Sequence, residues 1–183
     1  MRIVLASASP RRYELLRQAG FDFETSISNV DENIALHDPA ELVKKLAFAK
    51  ARKVALGYDD SIIIGADTIV YIDGEILGKP IDPADAFKIL RKLSGRAHTV
   101  YTGLALIYTA TGKYEVTVDT TEVYMRELSD EEINSYIATG EPMDKAGAYG
   151  VQGRAGMFVK RVEGDFFTVV GLPLYRLAGL NRL

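Results

Sequence analysis

Ile62-Ile63-Ile64-Gly65-Ala66-Asp67-Thr68-Ile69-Val70 is an apolar, β-branched run of the kind that forms a buried strand, yet it carries a carboxylate near its centre. With helix-like segments on either side, such a run places the chain in the α/β class. An ionised carboxylate taken out of water without partners costs several kcal/mol or more. A buried Asp67 is therefore paired, metal-bound or catalytic, or else a structural group bonded to nearby backbone N–H donors. Gly65 and Ala66 leave room beside it for a ligand or a bulge.

Outward from this strand, helices and strands alternate. Arg2–Ala6 reads as a short strand, Pro10–Gln18 as a helix closed by Gly20, and residues 21–26 as extended. Asp38 as N-cap, Pro39 at the first helical position and Glu41 as capping-box acid open a helix running to about Leu56. The strand itself spans Ser61–Ile72, and Asp73-Gly74 turns it back through Glu75-Ile76-Leu77. Asp82-Pro83-Ala84-Asp85 opens the next helix, to about Leu93. Beyond His98 the chain becomes β-rich, with Thr99–Thr109 and Tyr114–Glu127 forming an extended hairpin around Thr111-Gly112-Lys113. Ser129-Asp130-Glu131-Glu132 caps a helix to about Thr139, a glycine-rich segment covers 147–156, Met157–Val162 is a strand, and a last helix is expected over Pro173–Leu180. The pattern describes one α/β unit on long strands, compatible with two lobes around a groove.

The composition narrows the chemistry. A length of 183 residues with nearly half of them apolar supports a substantial core. The absence of cysteine excludes disulfides, thiolate catalysis and Cys-based zinc sites, and fits a reducing compartment. The apolar run at Met1–Ala6 is too short for a leader and is interrupted by Pro10-Arg11-Arg12, and no stretch reaches membrane-spanning length. A net charge of −3 gives no support to a general nucleic-acid surface. The expectation is a cytoplasmic protein without membrane or nucleic-acid partners.

Several groups of residues carry possible chemistry. Ser7-Ala8-Ser9-Pro10-Arg11-Arg12 lies at a strand-to-helix junction, with Ser9 as N-cap. Two arginines in the first turn oppose the positive end of the helix, a conflict that a bound phosphate removes; the other reading is a solvated basic turn. Lys50 projects from the apolar stripe formed by Leu42, Val43, Leu46, Ala47 and Val54, either snorkelling to solvent or pairing with a buried acid or phosphate. Gly78-Lys79-Pro80 brings a further cation to the end of the strand pair that begins near Asp67, and Asp31-Glu32 adds loop acidity or plain solvated surface. In Lys145–Gly156, four glycines allow a backbone to approach a flat ligand, Tyr149 offers a stacking surface and Gln152 an amide for a base edge. His37 reads as surface and His98 as a loop-ordering residue. No P-loop or G-x-S-x-G elbow is present. Cations, acids and an amide together suit a polyphosphate nucleotide with a divalent metal.

These motifs, together with Gly65-Ala66-Asp67-Thr68, Ser94-Gly95-Arg96, His98 and Thr102-Gly103, resemble the Maf family of nucleoside triphosphate pyrophosphatases, in order and over essentially the whole chain. The resemblance implies a single Maf-like domain over 1–183: an elongated mixed sheet with flanking helices, two lobes around a cleft, and a fold shared with the inosine triphosphate pyrophosphatases. It also implies a cytoplasmic, homodimeric enzyme that uses a divalent cation, Mg or Mn, to convert a nucleoside triphosphate into monophosphate and pyrophosphate. Within the family, Asp67 matches the proton-accepting aspartate. Arg11, Thr68 and Gln152 match positions of substrate choice, and Arg12, Glu32, Lys50 and Lys79 match other polar residues of the cleft. Ser7 and Ser9 fall in the phosphate-binding segment, and Glu32 and Asp67 are the candidates to hold the metal. The form Ala148-Tyr149-Gly150-Val151-Gln152-Gly153 resembles the subgroup acting on dTTP and UTP, whereas the subgroup acting on 7-methyl-GTP has an acid at the position of Gln152. Modified pyrimidine nucleotides are an alternative substrate class. A nucleotide-binding regulator of septum formation without significant turnover is the competing reading.

Overall fold

Four of the helices begin where side-chain chemistry satisfies the free N–H groups of a first turn. The computed structural model describes residues 1–32 and 34–180. Helix α1 (Pro10–Gln18) starts at Ser9, whose hydroxyl accepts from Arg12 N–H, and α2 (Pro39–Ala55) starts at Asp38, which accepts from Ala40 and Glu41 N–H. Glu41, expected as a capping-box acid, pairs with Lys44 instead. Asp82 caps α3 (Pro83–Leu93), and a full capping box of Ser129 with Glu132 opens α4 (Asp130–Ile137).

The strands are β1 (Arg2–Leu5), β2 (Glu24–Thr25), β3 (Ser61–Ile72), β4 (Glu75–Leu77), β5 (Ala97–Tyr108), β6 (Lys113–Met125) and β7 (Val159–Glu163). They form a mixed seven-stranded sheet in the order β2-β1-β3-β5-β6-β7, with β4 also on β3. β1 runs parallel to both β2 and β3, while β3–β4 and β6–β7 are antiparallel. This mixed α/β architecture is the fold class expected from the sequence.

The chain divides into two compact units. The first comprises Met1–Thr68, Thr102–Asp119 and the segment from Gly171 onward, and the second comprises Ile69–Tyr101 and Thr120–Val170. In the first, Val4, Ala6, Ala47, Ala51, Val54, Ile63, Ala105 and Ile107 form a core between α2 and the sheet. In the second, α3, α4 and the sheet enclose a core that includes Leu90, Leu93, Ile133, Tyr136, Tyr149 and Phe158.

The C-terminal segment departs from the expected helix over Pro173–Leu180. A short helix α5 (Phe166–Val170) comes earlier, and only a 3-10 turn forms at Leu174–Leu177. So short a helix has little intrinsic stability. Side-chain bonds decide the local conformation instead: Tyr175 and Arg176 both bond the Asp119 carboxylate, Arg176 through two nitrogens at 3.0 and 2.9 Å.

Candidate functional site

The two glycines at positions 65 and 103 explain how Asp67 acquires a partner. A Cβ at Gly65 would lie 2.3 Å from the Ala47 carbonyl oxygen, and one at Gly103 2.2 Å from that of Val43. Helix α2 therefore lies directly on β3 and β5, backbone against backbone. This corrects the expectation that Gly65 leaves room for a ligand, because the space is filled by α2. The apolar stripe of α2 is buried as its periodicity requires, and Lys50 is buried with it.

That contact brings Lys50 Nζ to 2.6 Å from Asp67 Oδ1. The same ammonium is 2.8 Å from Glu32 Oε1, so one cation joins a buried carboxylate to an exposed one. Of the two readings of Lys50, snorkelling and pairing, the structure takes pairing. Asp67 is 7% exposed and Lys50 9%. A charge pair at that depth costs desolvation and is weak evidence for stability. Its presence in a strand that could be wholly apolar therefore points to chemistry.

Thr68 follows Asp67 on the strand and so faces the opposite side of the sheet. Its hydroxyl is 2.9 Å from that of Thr102 and accepts from Arg12 Nη2 at 3.1 Å. Arg12 also donates from Nε to the Gly171 carbonyl at 2.7 Å and from Nη1 to Ser7 Oγ at 3.4 Å. Ser7 Oγ in turn accepts from Ser9 N–H at 3.1 Å. The three acceptors of the Arg12 guanidinium are thus neutral oxygens, which orient it without cancelling its charge. Burial draws the Arg12 pKa down, Asp67 opposes this, and the like charge of Arg11 adds to the lowering. Register accounts for the proximity: Leu5 pairs with Ile64, and Ala6 N–H donates to the Ile64 carbonyl, so the end of β1 delivers Ser7 beside the Asp67-Thr68 stretch.

Ser7, Ser9, Arg12, Glu32, Lys50, Asp67 and Thr68 therefore belong to connected networks of the first unit, with Arg11 next to them on α1. Lys79 and Gln152 lie in the second unit. Both are exposed. Their segments are linked there by Gly147 N–H donating to the Gly78 carbonyl at 3.0 Å.

The glycine-rich segment is not the open cradle expected. A Cβ at Gly147 would meet Val70, one at Gly150 would meet Lys145, and one at Gly153 would fall 2.0 Å from Glu141 Oε1. These glycines accommodate protein side chains. Tyr149, expected to stack on a base, is 5% exposed and packs in the core with its hydroxyl 2.7 Å from His98 Nε2. His98 is itself buried at the start of β5, and its bond to Tyr149 ties that strand to the glycine-rich segment. Burial lowers the His98 pKa to about 4, and among the described residues its Nδ1 has no hydrogen-bond partner. His37 is exposed, as expected.

The sequence reading missed the Gly171 carbonyl that anchors Arg12, 159 positions away, and no local signal marks it. Among the described residues, no group of three or more His, Asp or Glu side chains gathers as a metal cage. Asp67 and Glu32 do converge on a single point, the Lys50 ammonium. Two carboxylates of this kind suit a hard cation that keeps several waters and takes its other ligands from phosphate.

The Maf-like protein family model matches residues 2–182. A dTTP/UTP pyrophosphatase from Dictyoglomus thermophilum is 54% identical over 184 residues, which is 99% of this chain and 95% of that protein. A protein of the same name from Moorella thermoacetica is 51% identical over 180 residues, covering 98% and 93%. Among solved structures, the Staphylococcus aureus Ham1 protein matches with a TM-score of 0.50 and 16% identity, over 68% of this chain and 72% of that one, a likeness of fold. Among the described residues, no helix is long and apolar enough to cross a membrane.

Proposed function

The chain belongs to the Maf family, and on that premise we propose that it hydrolyses dTTP and UTP to the nucleoside monophosphate and pyrophosphate. The observation that carries this reading is the buried Asp67–Lys50 pair with Glu32 on the same ammonium, which gives a general base a fixed orientation. Relatives alike over nearly the whole length bear the corresponding enzyme name, which favours turnover over the septum-regulator reading.

In the proposed reaction, water attacks the α-phosphorus, a new P–O bond forms, and the bond from that phosphorus to the bridging oxygen breaks with pyrophosphate as leaving group. Lys50 holds Oδ1 of Asp67, and we assign Oδ2 the proton of the attacking water. Such displacements depend on positioning and charge neutralisation more than on covalent chemistry. Arg12, already oriented by Ser7, Thr68 and Gly171, and Arg11 beside it serve the phosphates, together with the Ser7–Ser9 junction at the start of α1. Lys79 is assigned to the phosphates as well. Gln152 pairs with the pyrimidine edge through its amide donor and acceptor. Asp67 and Glu32 are the residues that would hold a divalent Mg or Mn ion. When bound, such an ion neutralises charge on the phosphate oxygens. A cytoplasmic location, supported by the lack of cysteine, and a homodimeric state, resting on the family resemblance, belong to the same proposal.

The test is a nucleotide panel with Mg²⁺ in ¹⁸O-labelled water, products resolved by mass spectrometry. Preferential cleavage of dTTP and UTP, with label in the monophosphate, is the expected result. Label in pyrophosphate, release of inorganic phosphate, or no cleavage of any nucleotide would each defeat the proposal. Preferential cleavage of modified pyrimidine triphosphates would instead shift the substrate assignment.

A further inference from the structure

Gln152 is a central residue of a tight turn, Gly150-Val151-Gln152-Gly153, closed by Gly153 N–H donating to the Gly150 carbonyl at 3.0 Å. Two side chains outside the turn hold both of its shoulders. The Tyr136 hydroxyl accepts from Gly150 N–H at 3.3 Å and donates to Glu141 Oε1 at 3.0 Å. On the far side, Glu141 Oε2 accepts from Arg154 N–H at 3.3 Å. The turn backbone lies directly on this support, since a Cβ at Gly153 would collide with the Glu141 carboxylate.

The support is itself fixed. Tyr136 is 3% exposed, with its ring edge-on to Phe158 at 5.2 Å. Burial, and then the bond to Glu141, push its phenol above the usual tyrosine range, so the hydroxyl keeps its proton. Lys145 Nζ donates to the Glu141 carbonyl at 2.6 Å. Phenylalanine would fill the core at position 136 equally well; what the hydroxyl adds is a hold on the turn.

We propose that Tyr136 and Glu141 are positioning residues for base selection, a hydrogen-bonded pair that fixes the turn presenting Gln152. This rests on the reading of Gln152 as the residue that contacts the base. A site that recognises a base by hydrogen bonds loses discrimination when its donor and acceptor wander. The pair therefore governs the preference for pyrimidine over purine triphosphates, with a smaller effect on the maximal rate.

The experiment measures kcat and KM of the full-length protein for dTTP and dGTP in Tyr136→Phe, Glu141→Ala, Glu141→Gln, Gln152→Ala and the double variant Tyr136→Phe/Gln152→Ala. Amide hydrogen exchange over residues 151–153 is followed in parallel. Tyr136→Phe keeps the ring and serves should Glu141→Ala fail to fold. The expected result is a fall of about tenfold or more in the dTTP/dGTP ratio of kcat/KM, mostly through KM for dTTP. Faster exchange in the turn should accompany it, Glu141→Gln should retain the preference only in part because its amide keeps one of the two acceptor oxygens, and Tyr136→Phe should add nothing once Gln152 is gone. A purely structural role would lower both substrates alike and leave the ratio unchanged. If Gln152→Ala loses the preference while Tyr136→Phe and Glu141→Ala keep it, the positioning role is overturned and the reading of Gln152 stands. If Gln152→Ala keeps the preference, both are overturned.

Discussion

Replacing Gly65 by alanine tests whether the contact of α2 with β3 assembles the site. The added Cβ would sit 2.3 Å from the Ala47 carbonyl oxygen, 2.8 Å from Ala51 Cβ and 2.9 Å from Ala51 N, where ordinary contact begins at 3.4 Å. Relief requires α2 to retreat by about 1 Å, and the opposing atoms are largely backbone, which no rotamer change moves. Gly103 holds the same helix against β5, so the retreat strains a second contact. Overpacking of this kind costs roughly 1–3 kcal/mol, or a fall in Tm of roughly 2–12 °C for a chain of this size. Lys50 lies on α2 between Ala47 and Val54, and its 2.6 Å bond to Asp67 lengthens with the helix. A displacement of that size in a catalytic constellation costs on the order of 100-fold in rate. Thermal denaturation and steady-state pyrophosphate release measure the two effects. Gly57→Ala is the control, since its Cβ would meet only the Val54 carbonyl at 3.7 Å; both quantities should stay near those of the parent. A Gly65→Ala protein that melts with the parent and turns over within twofold of it would refute this account of how the site is built.

Other substitutions probe the ion pair and the buried histidine. Asp67→Asn should lower kcat for dTTP by about 10²–10⁴-fold with nucleotide affinity nearly unchanged, checked by single-turnover kinetics and equilibrium binding. Lys50→Met leaves the buried Asp67 carboxylate without its cation and should cost about 3 kcal/mol in urea denaturation, whereas Lys50→Met with Asp67→Leu should recover most of that loss. His98 has an ordinary pKa of 6.5 when unfolded and about 4 when folded, so between these values the unfolded chain binds the extra proton. Stability should therefore fall as pH drops from 6.5 toward 4, by up to ~1.4 kcal/mol per pH unit, and the slope should flatten in His98→Asn; denaturant midpoints across that range measure it.

The parts of this protein that were legible in its sequence are those whose physics is local. Ser9, Asp38, Asp82 and Ser129 each cap a helix because a cap bonds N–H groups only two or three residues away. The continuous β-branched apolar run marked the long strand at Ser61–Ile72, and the 3.6 periodicity placed Lys50 on the inward stripe of α2. Asp67 stood out because burial of a lone carboxylate is costly whatever surrounds it. The order of β1, α1, α2 and β3 and the α/β class follow from the same local signals.

What the carboxylate touches was decided elsewhere. Lys50 pairs with Asp67 because Gly65 and Gly103 let α2 settle onto the sheet, and an isolated glycine does not announce whether a ligand or a helix will occupy its space. Arg12 is oriented by a carbonyl 159 residues away, Tyr149 turned into the core instead of toward a base, and the C-terminal residues gave up a marginal helix for bonds to Asp119. The sequence by itself thus determined the long strands and capped helices up to the C-terminal segment, the fold class and the inventory of reactive groups. Their partners were settled only by tertiary packing, because contact between distant segments depends on how closely two backbones approach, and no single segment carries that distance.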